Sequence, residues 1–187
     1  VAQQLHVKKC QSVHMSAGLG SMGYSLPAAI GSYYATNKPV ISFNGDGGIQ
    51  MNIQELQFIA RERLPITVVV INNKSLGMIR GFQEANFDKN YSQTTNETGY
   101  SAPDFSKIAN AYGLNYEKIE CKKDIDTIDL NSGVPKLIEL VIHGDTLLEP
   151  NFGRNGLIQD QRPYLDRMLF DELMKLPGVG RKSANLI

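Results

Sequence analysis

Between about residues 40 and 142 the spacing of apolar positions switches repeatedly between a strand period and a helix period. Residues 67–71, Thr-Val-Val-Val-Ile, are an unbroken β-branched run, which suits a strand covered on both faces. Residues 40–43 form a shorter apolar-rich strand that runs directly into Asn44-Gly45-Asp46-Gly47-Gly48. Between the two, residues 52–62 place Ile53, Leu56, Ile59 and Ala60 on one helical face, and Pro65 ends the pattern. Asn52 and Glu55 have capping-box spacing, which puts the start of this helix at Asn52. Strand, helix and strand within about 30 residues make a βαβ unit, with parallel strands and a right-handed crossover.

A second unit follows. Residues 103–112 read as a helix with Pro103 in its first turn and Gly113 as its C-terminal cap, and residues 115–119 and 137–142 read as strands. Upstream, residues 25–35 read as a buried helix rich in small residues, and residues 1–9 as a further helix. Residues 76–99 are polar and longer than an ordinary connection, which predicts a functional or mobile loop. After His143 the strand rhythm is lost, and a polar linker leads to a helical pattern from about residue 165. The expected fold is α/β: an open, mostly parallel sheet with helices on both faces over residues 1–168, plus a short helical tail at 169–187.

Composition narrows the classes of function. With 42% hydrophobic and 20% charged residues the chain is not a disordered polymer. Nineteen Lys plus Arg balance nineteen Asp plus Glu, so no whole-molecule basic field for gripping nucleic acid exists, although a local patch is left open. Cys10 and Cys121 stand far apart without a CxxC partner, which argues against a disulfide framework or a thiolate metal site and for a reducing cytosol. His6, His14 and His143 show no ligand spacing. No run approaches the roughly 20 apolar residues of a membrane span, and the N-terminus carries no signal pattern, so the chain reads as soluble and cytoplasmic.

In an open α/β sheet, ligands sit at the carboxyl ends of the strands. Gly45-Asp46-Gly47-Gly48 follows the first strand. Glycines let backbone amides approach a phosphate closely, and a following helix offers its N-terminus. The Asp46 carboxylate would repel a phosphate unless a divalent cation lay between them. Asn72-Asn73 ends the next strand and supplies neutral oxygen donors. A hard cation such as Mg²⁺ takes six oxygens in octahedral array, shared between protein and phosphate. The combination suits a magnesium–diphosphate group. Each part alone has a plainer reading, since GDG is a common strand-to-helix turn and Met22 and Met78 are ordinary core fillers.

The paired GDG and NN turns, joined by a crossover helix, resemble the diphosphate-binding domain of thiamine-diphosphate-dependent enzymes. Residues 16–24 (SAGLGSMGY), 26–31 (LPAAIG) and 72–78 (NNKSLGM) are similar to the acetolactate synthase branch of that superfamily, and the resemblance covers about residues 1–170. It implies that Asp46, the side-chain oxygen of Asn73 and the backbone carbonyl of Ser75 bind Mg²⁺. The amides of Gly47 and Gly48 would hold the diphosphate, with Gly18, Gly45, Leu76, Gly77 and Met78 also lining the cofactor. Met22 matches the apolar residue that props the cofactor in its bent form, and the Gly20 carbonyl would accept a hydrogen bond from its aminopyrimidine. Met78 and Phe82 match positions near the substrate, where Phe82 departs from the tryptophan common in that branch.

The activity so implied is decarboxylation of a 2-oxo acid and transfer of the resulting acyl carbanion to a carbonyl acceptor. The glutamate that activates the cofactor would come from a pyrimidine-binding domain of the same or another subunit, in a homo-oligomer. Because no such domain lies in the 187 residues, the chain is expected to be a C-terminal piece of a longer enzyme, or else one subunit of a split enzyme, and to be inactive alone.

The tail points elsewhere. Residues 176–185 (LPGVGRKSAN) are similar to the helix-hairpin-helix of endonuclease III-type DNA glycosylases. A Gly-x-Gly hairpin aims amides at a phosphate, so Gly178, Gly180 and Lys182 define an alternative reading as a DNA-binding module. The catalytic aspartate and the iron–sulfur cysteines of that family are missing from the chain, and a fusion or reading-frame junction is the other explanation. A third reading is a catalytically silent domain that shares the fold.

Overall fold

The β-branched run becomes a central strand. In a computed structural model describing residues 5–16, 19–130, 133–144 and 175, β2 (Ile66–Asn72) lies inside a four-stranded sheet and is buried at every position but Ile71. β1 (Val40–Gly45) pairs with it on one side and β4 (Lys136–Val141) on the other, while β3 (Asn115–Ile119) closes the far edge. All three pairings are parallel, in the order β1-β2-β4-β3. The open parallel sheet expected from the sequence is therefore present.

Register decides where the chemistry goes. Gly45 pairs with Ile71 in the β1–β2 ladder, so the chain leaves the two strands at the same level. Neighbouring strands lie about 4.8 Å apart, which brings the turn beginning at Asp46 beside the turn beginning at Asn72.

One face of the sheet carries the main core. Leu26 and Ala29 of α1 (Ser25–Thr36), Leu56 and Ile59 of α3 (Glu55–Arg61), and Phe105 and Ala109 of α5 (Phe105–Tyr112) pack on Ile66, Val68, Val70 and Leu137. Each of the valine, leucine, isoleucine and phenylalanine side chains among them contributes about 1.5–3 kcal/mol by leaving water. The opposite face has a smaller cluster of Val69, Ile119 and Ile138, with Ile128 and Leu140 against it. There Ile41 and Phe43 of the edge strand β1 stay 45% and 39% exposed.

Several local expectations shift. Helix begins directly after β1, as α2 (Asp46–Ile49), passes through a 3₁₀ turn at Gln50–Asn52 and resumes as α3. The capping box expected at Asn52 and Glu55 does not form. Asn52 lies inside the 3₁₀ turn, and its amide donates to the Gly23 carbonyl at 2.8 Å instead. α5 starts at Phe105, two residues after Pro103, because the Asp104 carboxylate caps it by accepting from the amides of Ser106 and Lys107 at 3.1 and 3.2 Å. Gly113 ends α5 in the left-handed conformation, as expected.

The polar segment 76–99 contains a helix, α4 (Gly77–Asn86), and a 3₁₀ turn at Asn96–Thr98. A further short helix, α6 (Lys122–Ile125), follows β3. Residues 5–9 are not helical, so the helix expected over 1–9 is absent where the structure describes it. The tail helices and the 168/169 boundary lie outside the described residues. Cys10 and Cys121 are free and exposed.

Candidate functional site

The turn after β1 buries a carboxylate. Asp46 is 2% exposed, and its Oδ1 accepts from the Gly47 amide at 3.0 Å. Its Oδ2 is buried without a hydrogen-bond partner. Burial pushes the Asp46 carboxyl above its usual range, while the nearby Gly47 amide, Tyr100 hydroxyl and Ser75 amide pull it back down. A buried acceptor left unpaired costs about 1–3 kcal/mol, so this atom is held for a group that satisfies it.

The glycines of this turn are not equivalent. A Cβ on Gly47 would come within 2.4 Å of Leu76 Cδ2, with the Tyr100 hydroxyl at 3.4 Å and the Met22 methyl at 3.8 Å. A side chain there would force Leu76 to move. A Cβ on Gly45 or Gly48 would meet nothing within 4 Å, so the backbone at both positions borders open space. Open backbone beside a buried unpaired carboxylate is the arrangement a closely approaching anion with its cation requires.

The turn after β2 is finished differently. The Asn72 amide donates to Glu139 Oε1 at 2.6 Å, and the Tyr116 hydroxyl donates to Glu139 Oε2 at 2.5 Å. Asn72 Oδ1 accepts from the Lys74 amide at 3.0 Å, and Asn73 Oδ1 accepts from the Ser75 amide at 3.2 Å. Two successive Asx turns thus shape residues 72–75. Asn72 is tied into the scaffold through both its amide and its oxygen, whereas Asn73 is engaged through its oxygen by the Ser75 amide. Ser75 Oγ donates to the Thr94 carbonyl at 2.8 Å, and the Leu76 amide donates to the same oxygen at 2.9 Å. A Cβ on Gly77 would lie 2.8 Å from the Asn73 amide nitrogen, so glycine there lets the chain fold back over Asn73.

The two turns meet at the Ser75 amide, which faces the Asp46 carboxylate and donates to Asn73. Asp46, Asn73 and Ser75, the set expected to hold Mg²⁺, thereby form one cluster. Gly47, Leu76 and Met22 converge on it. Gly20 adopts a left-handed φ of +62° beside open space, and Gly23 one of +79° with a Cβ position 2.7 Å from Met51 Cβ. Gly18 lies outside the described residues. Met78 and Phe82 sit on α4 at 65% and 60% exposure, in a helix with no buried residue. Among the described residues no group of three or more His, Cys, Asp and Glu could hold a metal ion.

One participant escaped the sequence reading. The Tyr100 hydroxyl is buried, faces Asp46 and Gln50, and has no hydrogen-bond partner. No motif marks it. A lone tyrosine past a polar stretch carries no spacing signal, and only the return of that stretch over Gly47 brings it in.

The sequence profile of the thiamine pyrophosphate enzymes, C-terminal TPP binding domain, matches residues 1–139. The chain belongs to that family. Thiamine diphosphate is accordingly its cofactor, with Mg²⁺ as the usual partner metal, and the orphaned Asp46 oxygen beside the open Gly45 and Gly48 backbone fits that pair. Among curated relatives, the acetolactate synthase isozyme 2 large subunit of Escherichia coli is 38% identical over 75% of this chain and 26% of its own length. The acetolactate synthase large subunit of Lactococcus lactis is 40% identical over 76% of this chain and 25% of its own length.

The thiamine diphosphate domain thus spans about a quarter of the length of these relatives. Among solved structures, benzoylformate decarboxylase from Polynucleobacter necessarius superposes with a TM-score of 0.59 at 25% identity, covering 70% of this chain and 25% of that one. A thiamine diphosphate-dependent 4-hydroxybenzoylformate decarboxylase from Rhodococcus jostii gives 0.58 at 28% identity, covering 67% and 24%. Among the described residues no helix is long and apolar enough to cross a membrane. Gly178, Gly180 and Lys182, on which the DNA-binding reading rests, lie outside the described residues.

Proposed function

We propose that this chain is the cofactor-holding part of an acetolactate synthase-like enzyme, which decarboxylates a 2-oxo acid and transfers the acyl carbanion to a carbonyl acceptor. The observation that carries the reading is the buried, unpartnered Oδ2 of Asp46, set against Ser75 and the closed niche of Gly47. When bound, thiamine diphosphate supplies the nucleophilic carbon and the electron sink for this chemistry.

The chain's own residues hold and shape. Asp46, Asn73 Oδ1 and the Ser75 carbonyl are the Mg²⁺ ligands, and the amides of Gly47 and Gly48 take the diphosphate. Asn73 Oδ1 keeps a second lone pair beyond the one facing Ser75, so its Asx turn and metal ligation are compatible. Met22 keeps its methyl beside the Gly47 niche while remaining 47% exposed, which suits an apolar wall against a ligand. The Gly20 carbonyl accepts from the aminopyrimidine. α4 offers Met78 and Phe82 to the substrate and helps exclude water. The activating glutamate belongs to a pyrimidine-binding domain of the same or another subunit of a cytoplasmic homo-oligomer.

Thermal melting of the intact protein tests the reading. Mg²⁺ and thiamine diphosphate together should raise the melting temperature, by linkage worth about 2.7 kcal/mol at a hundredfold excess over Kd. Asp46→Ala should remove the shift. A folded wild-type protein that shows no shift overturns the assignment.

A further inference from the structure

We propose that Tyr100 is a diphosphate-binding residue, its hydroxyl donating to an anionic oxygen held beside the cation of Asp46; this rests on the Mg²⁺–diphosphate reading of the Asp46 site. The position of Tyr100 is built rather than incidental. Ser75 and Leu76 both bond to the Thr94 carbonyl, and buried Thr94 bonds through its hydroxyl to Gln83 Oε1 at 2.8 Å. Thr95 and Thr98 close the following 3₁₀ turn, and the Tyr100 amide returns to the Thr95 carbonyl at 2.9 Å. Gly99 makes the reversal at a φ of +109°, where a Cβ would lie 2.7 Å from the Gln93 side chain. A segment anchored to the second turn is thereby aimed back across the first.

The hydroxyl ends 3.4 Å from the Cβ position of Gly47, buried and unpartnered, beside the equally unpartnered Oδ2 of Asp46. Gln50, whose amide donates to the Asp46 backbone carbonyl at 3.0 Å, lies on the other side of the Tyr100 hydroxyl. The two orphans differ in what they need. A carboxylate oxygen calls for a cation, whereas a phenol donor calls for an anion. The Tyr100 hydroxyl faces the Asp46 carboxylate, and once a cation takes that carboxylate oxygen, the anion held by the cation is the acceptor left for the phenol.

The test is calorimetric titration of the intact apoprotein with Mg²⁺ alone, Mg²⁺–pyrophosphate and Mg²⁺–thiamine diphosphate, for wild type, Tyr100→Phe and Asp46→Ala. Tyr100→Phe should raise Kd about tenfold for both diphosphate ligands, leave any binding of Mg²⁺ alone unchanged, and leave the apoprotein melting point equal or higher. Unchanged diphosphate affinity overturns the proposal, as does a loss confined to thiamine diphosphate. Asp46→Ala retaining wild-type affinity overturns the underlying site reading instead. A readout independent of any variant is the ultraviolet difference spectrum of wild type. Mg²⁺–pyrophosphate should red-shift a tyrosine band that Mg²⁺ alone does not move, and its absence contradicts the assignment.

Discussion

Two turns leave the sheet side by side, and they are finished in opposite ways. The one after β2 is closed on itself: Asn72 is held at both ends, Asn73 caps Ser75, and Glu139 is satisfied by two donors. The one after β1 is left open, with a buried carboxylate oxygen and a facing hydroxyl that no protein group meets. Unsatisfied buried polar atoms weaken a fold, and satisfied ones stiffen it. A rigid turn set against an incomplete one is what a binding site needs, since the first holds geometry while the second waits for the ligand.

Removing the incompleteness should have the largest effect. Asp46→Asn deletes the charge, and calorimetry should then register a loss of roughly 100-fold in Mg²⁺–thiamine diphosphate affinity. The same variant without ligand should gain about 1–2 kcal/mol in denaturant unfolding, because a buried unpaired carboxylate disappears. A variant that loses affinity and stability together would show that Asp46 is structural, and the contrast between the turns would fall.

Opening the closed turn comes next. Glu139→Ala strands the Asn72 amide and the Tyr116 hydroxyl, and should lower unfolding stability by about 2–3 kcal/mol. An unchanged denaturant midpoint would mean that the second turn does not depend on this network.

A paired glycine exchange sharpens the comparison within the first turn. Gly47→Ala forces a Cβ onto Leu76 and should cost about 1–3 kcal/mol of stability even without ligand. Gly48→Ala meets open space, so melting of the free protein should stay the same while cofactor affinity falls. Equal behaviour of the two variants in both assays would refute the division of labour.

The smallest effect lies away from both turns, at the α5 cap. Hydrogen bonds from the Ser106 hydroxyl and the Lys107 amide hold the Asp104 carboxyl below its ordinary value of 3.8. A depressed acid stabilises the fold above its unfolded-state value and loses that effect as pH falls through its folded-state value. The melting difference between wild type and Asp104→Ala should therefore be full at neutral pH and close on acidification well below 3.8. A difference that persists there would mean the cap acts without its charge.

Much of the frame was readable from residue order alone. The Thr67–Ile71 run reads as a covered strand because β-branched residues with no polar alternation have no solvent face to offer, and β2 is buried accordingly. The helix ends were read less well. Asn52 and Glu55 satisfy the capping-box pattern, yet Gly23 lies within reach in space and takes the Asn52 amide. α4 went unread inside a polar stretch although Met78, Ile79, Phe82 and Ala85 stand at helical spacing, because that stripe is short and set among polar residues, and Met78, Ile79 and Phe82 stay exposed in the fold.

Local order, then, determined the parallel α/β architecture and the placing of Asp46 and Asn73 at strand ends, because periodicity and turn chemistry act over a few neighbours. Which atoms stay unpaired was decided only by the fold. The pairing of Gly45 with Ile71 sets the two turns level, and the path from Thr94 to Tyr100 carries a hydroxyl over Gly47. Such contacts join residues tens of positions apart, and no rule of spacing along the chain encodes a distance across it.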